Sequence, residues 1–345
     1  EVSPSLLSGL LPAAEYLLDY PHGCFEQRAS KLMPVVLFGD SVVDNPEAVV
    51  AEELEFWAKH QLDSGGFPFW PEYSYGASYY VTLRIAHLLM IAEERGFIIP
   101  DDIDVRGMVS FLAQTDDRLV SNDYLELYSL YVQALYGVPV QRQLADFEYR
   151  ADELDHASQA FLGLGFSRTG APQKAEAALE RIIRYVKPGT RSIDLTPRLN
   201  EYRHFYGRAD EQIALLLMLQ TAVDPGDDLT DRIAGTLLSA RSGGAWQNTA
   251  ATNWGVLALS ELMRVREDAG GVSATVTFDE SEIWSGSFAG VEESASVEIG
   301  FDEEPVASME RDALLPLEFS ADGNLYYTAS LAYDLPAETA GARGR

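Results

Sequence analysis

The chain has one cysteine in 345 residues, 25 lysines and arginines against 54 aspartates and glutamates, and no apolar run of membrane-spanning length. A single thiol excludes an internal disulfide, so the redox compartment cannot be read from bridges. The formal net charge of −29 argues against nucleic acid or an anionic membrane surface as a partner, because both are held by basic patches. Acid in this excess fits a salty habitat or a plain solubility role. The five histidines, His22, His60, His87, His156 and His204, show no ligand spacing, and the sequence implies neither a metal nor another cofactor. No basic stretch opens "EVSPSLLSGLLPAAEYLL", so no signal peptide is read there. The start at Glu1 and the close in "AETAGARGR" read as cut ends of something longer.

What is present is a long helical pattern. Residues 3–268 read as about a dozen helices separated by Gly, Pro or Asp-rich breaks. Those near 24–38, 78–95, 121–136, 155–166, 208–222 and 248–264 are mostly apolar, as in "SYYVTLRIAHLLMIA" and "EQIALLLMLQTA". The helices between them, such as "PEAVVAEELEFWAKH" and "QKAEAALERIIRYVK", carry charge on one face. A helix apolar nearly all round is buried on several sides, whereas a striped one covers it from outside. The alternation predicts a mainly α fold, an α/α toroid of about six helix pairs. An open solenoid of pairs is the alternative. A weak echo favours closure: "SGGFPFW" at 64–70 and "SGGAWQN" at 242–248 each precede an inner helix.

After Gly270 and Gly271 the period changes. "VSATVTFD", "EIWSGSF", "SASVEIG", "LLPLEFS" and "NLYYTASLAYD" read as about five strands of a small antiparallel β-unit, part of a sandwich completed elsewhere.

The lone cysteine stands in "DYPHGCFEQRASKLMP", at the start of the first inner helix. Inner helices of a toroid run parallel, so their N-termini share one end of the ring. At such a start the helix dipole and free N–H groups favour a thiolate and a nearby oxyanion. Gln27 lies at i+3 from Cys24, on the same face. Attack of the sulfur on the Gln27 side-chain carbonyl, with loss of ammonia, would close an internal thioester across one helical turn. Two plainer readings stay open at this point. One is a buried cysteine that only packs; the other is a cysteine hydrolase, which needs a histidine base, with His22 the nearest in sequence.

"YPHGCFEQRASKLMP" resembles the thioester signature of the alpha-2-macroglobulin and complement superfamily, especially its bacterial branch. "SGGFPFWP" with "YYVTLRIAHLLMIAEERGF", "FYGRADEQIALLLMLQ" and "GGAWQNTAATNWGVLALSEL" resemble later blocks of that family's thioester domain, itself an α/α toroid. The resemblance implies a thioester domain over 1–269, part of a CUB-like domain over 270–335 and the start of a linker over 336–345. It implies that Cys24 supplies the sulfur and Gln27 the acyl carbon, while Tyr20, Pro21, Gly23 and Glu26 shape the turn. The implied role is single-use protease inhibition rather than enzyme turnover. After cleavage of a bait region elsewhere in the parent chain, the exposed thioester reacts with lysine amines of the attacking protease. Other macroglobulin domains of the parent chain are the implied neighbours, with no direct membrane contact, and the place is extracytoplasmic, in the periplasm.

Some relatives direct transfer toward hydroxyls through a histidine between the fifth and sixth helices; here "QTDDRLVSND" at 114–123 has none. Direct attack by amines is therefore expected. The loop 65–80 precedes an inner helix and so belongs to the Cys24 end of the ring. Its rings, Phe67, Phe69, Trp70, Tyr73, Tyr75 and Tyr79, are the candidate shield, the alternative being an aromatic loop that packs only on its own domain. Without the rest of the parent's shield, the bond is expected to be absent or hydrolysed.

Among other functions, the α/α ring also hosts terpenoid cyclases and glycosidases, and "PDDIDV" offers Asp101, Asp102 and Asp104 as an acid cluster. Helix capping after Pro100 explains the same residues. A non-reactive binding module is the third possibility.

Overall fold

The computed structural model describes residues 2–3, 6–73, 76–114, 122–198, 208–266, 271–289, 293–299, 316–323 and 325–327. Two compact units divide the chain: Leu10–Glu267, and Glu1–Gly9 together with Asp268–Arg345.

The helical unit is built from pairs. The inner helices are α2 (Phe25–Phe38), α4 (Tyr79–Glu94), α6 (Asp123–Leu135), α8 (His156–Arg168), α10 (Ala209–Val223) and α12 (Thr249–Arg266). Preceding them along the chain are α1 (Leu7–Leu18), α3 (Pro46–Ala58), α5 (Val105–Leu112), α7 (Gln141–Glu148), α9 (Pro172–Ile183) and α11 (Asp228–Ser239). Each inner helix packs on the next, and α12 returns to α2. That contact closes the ring and rules out the open solenoid.

The local reasons lie in the sequence. Asn45, Ser78, Asp104, Asn122, Asp155 and Asp227 each cap a helix, their side chains accepting a backbone N–H of the first turn. Inner helices are buried almost all round; α8 buries every residue from His156 to Phe166. Around the axis, aromatic rings fill the space: Tyr128 stacks on Phe161 at 4.7 Å, and Trp254 meets both at 5.3 and 5.6 Å. Outer helices bury one stripe, as in α9 with Ala175, Ala178, Leu179 and Ile182.

The predicted helix "QKAEAALERIIRYVK" ends sooner than its pattern suggests. Val186–Pro188 is a strand, β2, paired antiparallel with β3 (Ile193–Leu195). Pro188 closes β2, and Gly189 begins the turn that brings β3 back beside it.

In the smaller unit β4 (Val272–Phe278) pairs with β5 (Ser281–Phe288) and with β6 (Leu317–Ala321), all antiparallel. Asp279 and Glu280 turn the β4–β5 hairpin with φ of 47° and 63°, the left-handed pair that a two-residue hairpin turn demands. Val272, Ala274 and Val276 alternate inward and pack with Phe288 and Val2. Two sequence expectations need correction. "SASVEIG" makes one bridge, Ala295 to Val2, and no strand among its described residues. Residues 1–9, which the sequence assigns to the helical domain, group instead with this unit: β1 (Val2–Ser3) pairs with β7 (Tyr326–Tyr327). A two-residue strand is too short for a period to announce it.

Candidate functional site

Cys24 is the N-cap of α2, extended at φ −65° and ψ 158°, and it is 1% exposed. Its side chain faces the backbone N–H of Gln27, while its own backbone N–H donates to Gln27 Oε1 at 3.4 Å. This is the reciprocal geometry of a capping box, with sulfur in place of a hydroxyl. It brings the thiol and the amide side chain of residue 27 to the same end of one turn. The Gln27 carbonyl oxygen thereby rests on an N–H donor, which would stabilise negative charge there.

The sequence expects the helix start to favour a thiolate. In the structure burial dominates and pushes the Cys24 thiol up; the Gln27 N–H opposes it, and the neighbouring Glu26 charge adds to it. The thiol is protonated at neutral pH.

Of the supporting residues, Glu26 is buried and accepts from Ser30 Oγ at 3.1 Å and Thr249 Oγ1 at 3.3 Å. Tyr20 is half-buried, its ring 5.9 Å from Tyr16 and 5.6 Å from His22. Pro21, His22 and Gly23 are exposed. Open space surrounds the place where a Cβ on Gly23 would lie, so crowding does not demand glycine there.

The six candidate shielding residues fall into different places. Phe67 is fully buried, 5.5 Å from Phe25 and 6.4 Å from Trp57, beneath the start of α2. Phe69 reaches α2 through its backbone, its carbonyl accepting from Phe25 N–H at 3.1 Å. The rings of Phe69 and Trp70 are partly exposed, as is Tyr73. Tyr79 turns to another seam, its hydroxyl donating to the Leu112 carbonyl at 2.8 Å and lying 2.7 Å from Ser129 Oγ. Tyr75 lies outside the described residues. The loop is held by Gly65 at φ +84°, where a Cβ would come 2.2 Å from the Gly107 carbonyl carbon. The echo noted in the sequence is structural as well: Phe67 N–H donates to Thr82 Oγ1, and Trp246 N–H to Thr252 Oγ1, each hydroxyl on the following inner helix.

His60, His87 and His156 are engaged elsewhere. His87 is buried against Tyr128, 3.0 Å from its hydroxyl, and burial lowers it to about 3, with Arg84 and Arg168 adding. His156 bonds the Thr196 carbonyl, and His60 packs its ring on Phe56. His204 and most of the 114–123 loop lie outside the described residues. Among the described residues no group of three His, Cys, Asp or Glu is arranged to hold a metal, and no helix is long and apolar enough to cross a membrane. Asp104 is the N-cap of α5, accepting from Gly107 N–H at 2.8 Å. A cavity of about 360 Å³ opens among the C-terminal ends of the inner helices, lined by Met90, Leu164, Met218 and Leu257 with the Arg168–Glu94 ion pair. Asp101, Asp102 and Asp104 do not line it.

Sequence reasoning missed Arg84, Ser30, Thr249 and Asn253, a polar set inside the ring behind Glu26. The signal was an arginine within "YYVTLRIAHLL", a helix otherwise apolar on every side.

No protein-family model matches the chain. In sequence it is 26% identical over 281 residues to the alpha-2-macroglobulin of Escherichia coli strain K12, covering 72% of this chain and 16% of that protein. The chain thus spans about a sixth of that relative's length. In fold it is similar to a solved Salmonella alpha-2-macroglobulin reacted with methylamine, with a TM-score of 0.63 and 21% identity over 84% of this chain and 19% of that one. It is also similar to a solved Escherichia coli alpha-2-macroglobulin activated by porcine elastase, with a TM-score of 0.57, 22% identity, and coverage of 84% of this chain and 27% of that one. In sequence and in fold, the relatives of this chain are bacterial alpha-2-macroglobulins.

Proposed function

We propose that this chain is the thioester-bearing segment of a macroglobulin-like protease inhibitor, with Cys24 and Gln27 as the bond-forming pair. The observation that carries the reading is their reciprocal contact at the buried start of α2. In closure, a bond forms between Cys24 Sγ and Gln27 Cδ, the Cδ–Nε2 bond breaks, and the thiol proton leaves with the nitrogen as ammonia. In opening, a primary amine bonds to Cδ, the Cδ–Sγ bond breaks, and the amine's proton passes to sulfur. One amide and one free thiol result, so the segment acts once. A thiol whose proton is held tightly by burial is a poor leaving group, which favours a bond that persists until it is exposed.

The helical unit is the thioester domain and the smaller unit part of a CUB-like domain. The attackers are lysine amines on a protease, and the protein works outside the cytoplasm, in the periplasm. Two facts about relatives support the chemistry: the Salmonella protein is one reacted with methylamine, a primary amine, and the Escherichia coli protein is one activated by a protease, porcine elastase. Without a histidine in the 114–123 sequence to take the acyl group, amines attack directly and hydroxyls slowly. Incubating the full-length natural protein with labelled methylamine and labelled glycerol tests this. Label on residue 27 from methylamine is expected; a preference for glycerol would contradict direct attack. A protease adduct that survives denaturation and disappears in Cys24→Ala would support the trap.

A further inference from the structure

α4 is buried on nearly every face, yet it carries Arg84 at its middle, only 3% exposed. Taking a guanidinium out of water is costly unless its donors are met, so its partners are informative. Arg84 Nη2 donates to Ser30 Oγ at 3.3 Å. Ser30 Oγ in turn donates to Glu26 Oε1 at 3.1 Å, and Thr249 Oγ1, at the start of α12, donates to Glu26 Oε2 at 3.3 Å. With its amide oxygen turned toward the guanidinium, Asn253 accepts from Arg84 Nη1 at 3.2 Å and Nη2 at 2.5 Å. The guanidinium carbon lies 5.2 Å from the Trp254 ring centroid. Burial alone would depress Arg84, but the phenols of Tyr80 and Tyr128 and the Glu26 carboxylate outweigh it, and Arg84 stays charged.

One buried cation therefore ties α2, α4 and α12 together at Glu26, the residue directly before Gln27. The first turn of a helix has N–H groups with no intrahelical partner, so the ladder alone does not fix its rotation. Glu26 is gripped on both oxygens, from α12 on one side and through Ser30 from α4 on the other.

We propose that Arg84 is a positioning residue for the Cys24–Gln27 pair, acting through Ser30 and Glu26 to hold the first turn of α2 where the thiol and the amide carbon meet. The inference rests on reading that pair as thioester-forming. Attack across one turn needs near contact of sulfur and carbon, and a shift of about 1 Å is enough to slow such a step by about a hundredfold.

The gentlest break is Ser30→Ala, which removes one hydroxyl and leaves a good helix former. Arg84→Lys is the second, since a point charge on a flexible stem does not reproduce the planar fork that serves Ser30 and Asn253 together. In freshly prepared full-length natural protein, mass spectrometry of the peptide spanning residues 24–27 reads the closed fraction, as the species lighter by one ammonia. Thermal melting reads the fold. We expect both variants to melt cooperatively near wild type, with the closed fraction down about tenfold. Ser30→Thr, which restores the hydroxyl, is expected to recover closure, as a loss of general stability would not predict. Wild-type closure in folded Ser30→Ala and Arg84→Lys overturns the positioning role and leaves the thioester reading standing. If Arg84→Lys does not fold, Ser30→Ala decides alone. A wild-type protein that never closes overturns the thioester reading and the inference with it.

Discussion

The backbone N–H of Phe25 donates to the carbonyl of Phe69 at 3.1 Å. This bond takes one of the N–H groups that a helix start leaves free. It fastens the aromatic loop across the residue next to Cys24. Below it, the ring of Phe25 sits among Phe67, Phe56 and His60 at 5.5, 6.0 and 5.9 Å. The start of α2 thus rests on rings already in the core, while those of Phe69, Trp70 and Tyr73 are exposed.

Phe67→Ala should therefore act twice. Deleting a fully buried ring costs about 3–5 kcal/mol, and it opens the floor under α2. A lower melting midpoint and faster opening of the Cys24–Gln27 bond by methylamine are expected. Trp70→Ala, at a partly exposed ring, should leave the melting midpoint nearly unchanged.

Gly65→Ala tests the loop's anchor. At φ +84°, with the Gly107 backbone 2.2 Å from an added Cβ, alanine fits neither the conformation nor the space. A loss above about 1 kcal/mol is expected in denaturant melts. An unchanged midpoint would mean that the loop is held elsewhere.

Much of this was legible in the residues. The six inner helices stand out because "EQIALLLMLQTA" and its counterparts lack a polar face, and Gly, Pro or Asp-rich breaks separate the helices. The Cys24–Gln27 spacing was legible for the same reason: i and i+3 share a face. What was not legible depends on long-range packing. The capture of Val2 by Ala295 and of Ser3 by Tyr326 joins residues hundreds of positions apart. The destinations of the aromatic loop were equally hidden, because nothing local distinguishes Phe67, which goes inside, from Phe69, which does not. The raised Cys24 thiol also follows from burial, which composition does not display.

His87 supplies a pH dependence. Its folded value near 3 lies well below the ordinary 6.5, so below pH 6.5 the unfolded chain takes up a proton that the folded one refuses. Stability should fall as pH drops from about 6.5 toward 3, by up to a few kcal/mol from this group, and level off below. His87→Gln should flatten that part of the profile in chemical denaturation between pH 7 and pH 4. An unaltered slope would remove His87 from the account.

The net charge of −29 implies self-repulsion in the folded state. Screening by salt should raise the melting midpoint through the first few hundred millimolar, because the Debye length falls from about 10 Å at 0.1 M to about 3 Å at 1 M. Thermal melts over a sodium chloride series check this, and a midpoint that falls would contradict it.

The central claim is a covalent link between residues 24 and 27, and intact mass tests it most directly. The full-length natural protein, freshly made and never exposed to amines, should weigh one ammonia less than its processed sequence requires. Methylamine should then add its own mass and release one titratable thiol at Cys24. A protein with the full sequence mass and a free thiol from the outset, unchanged by methylamine, would contradict the account.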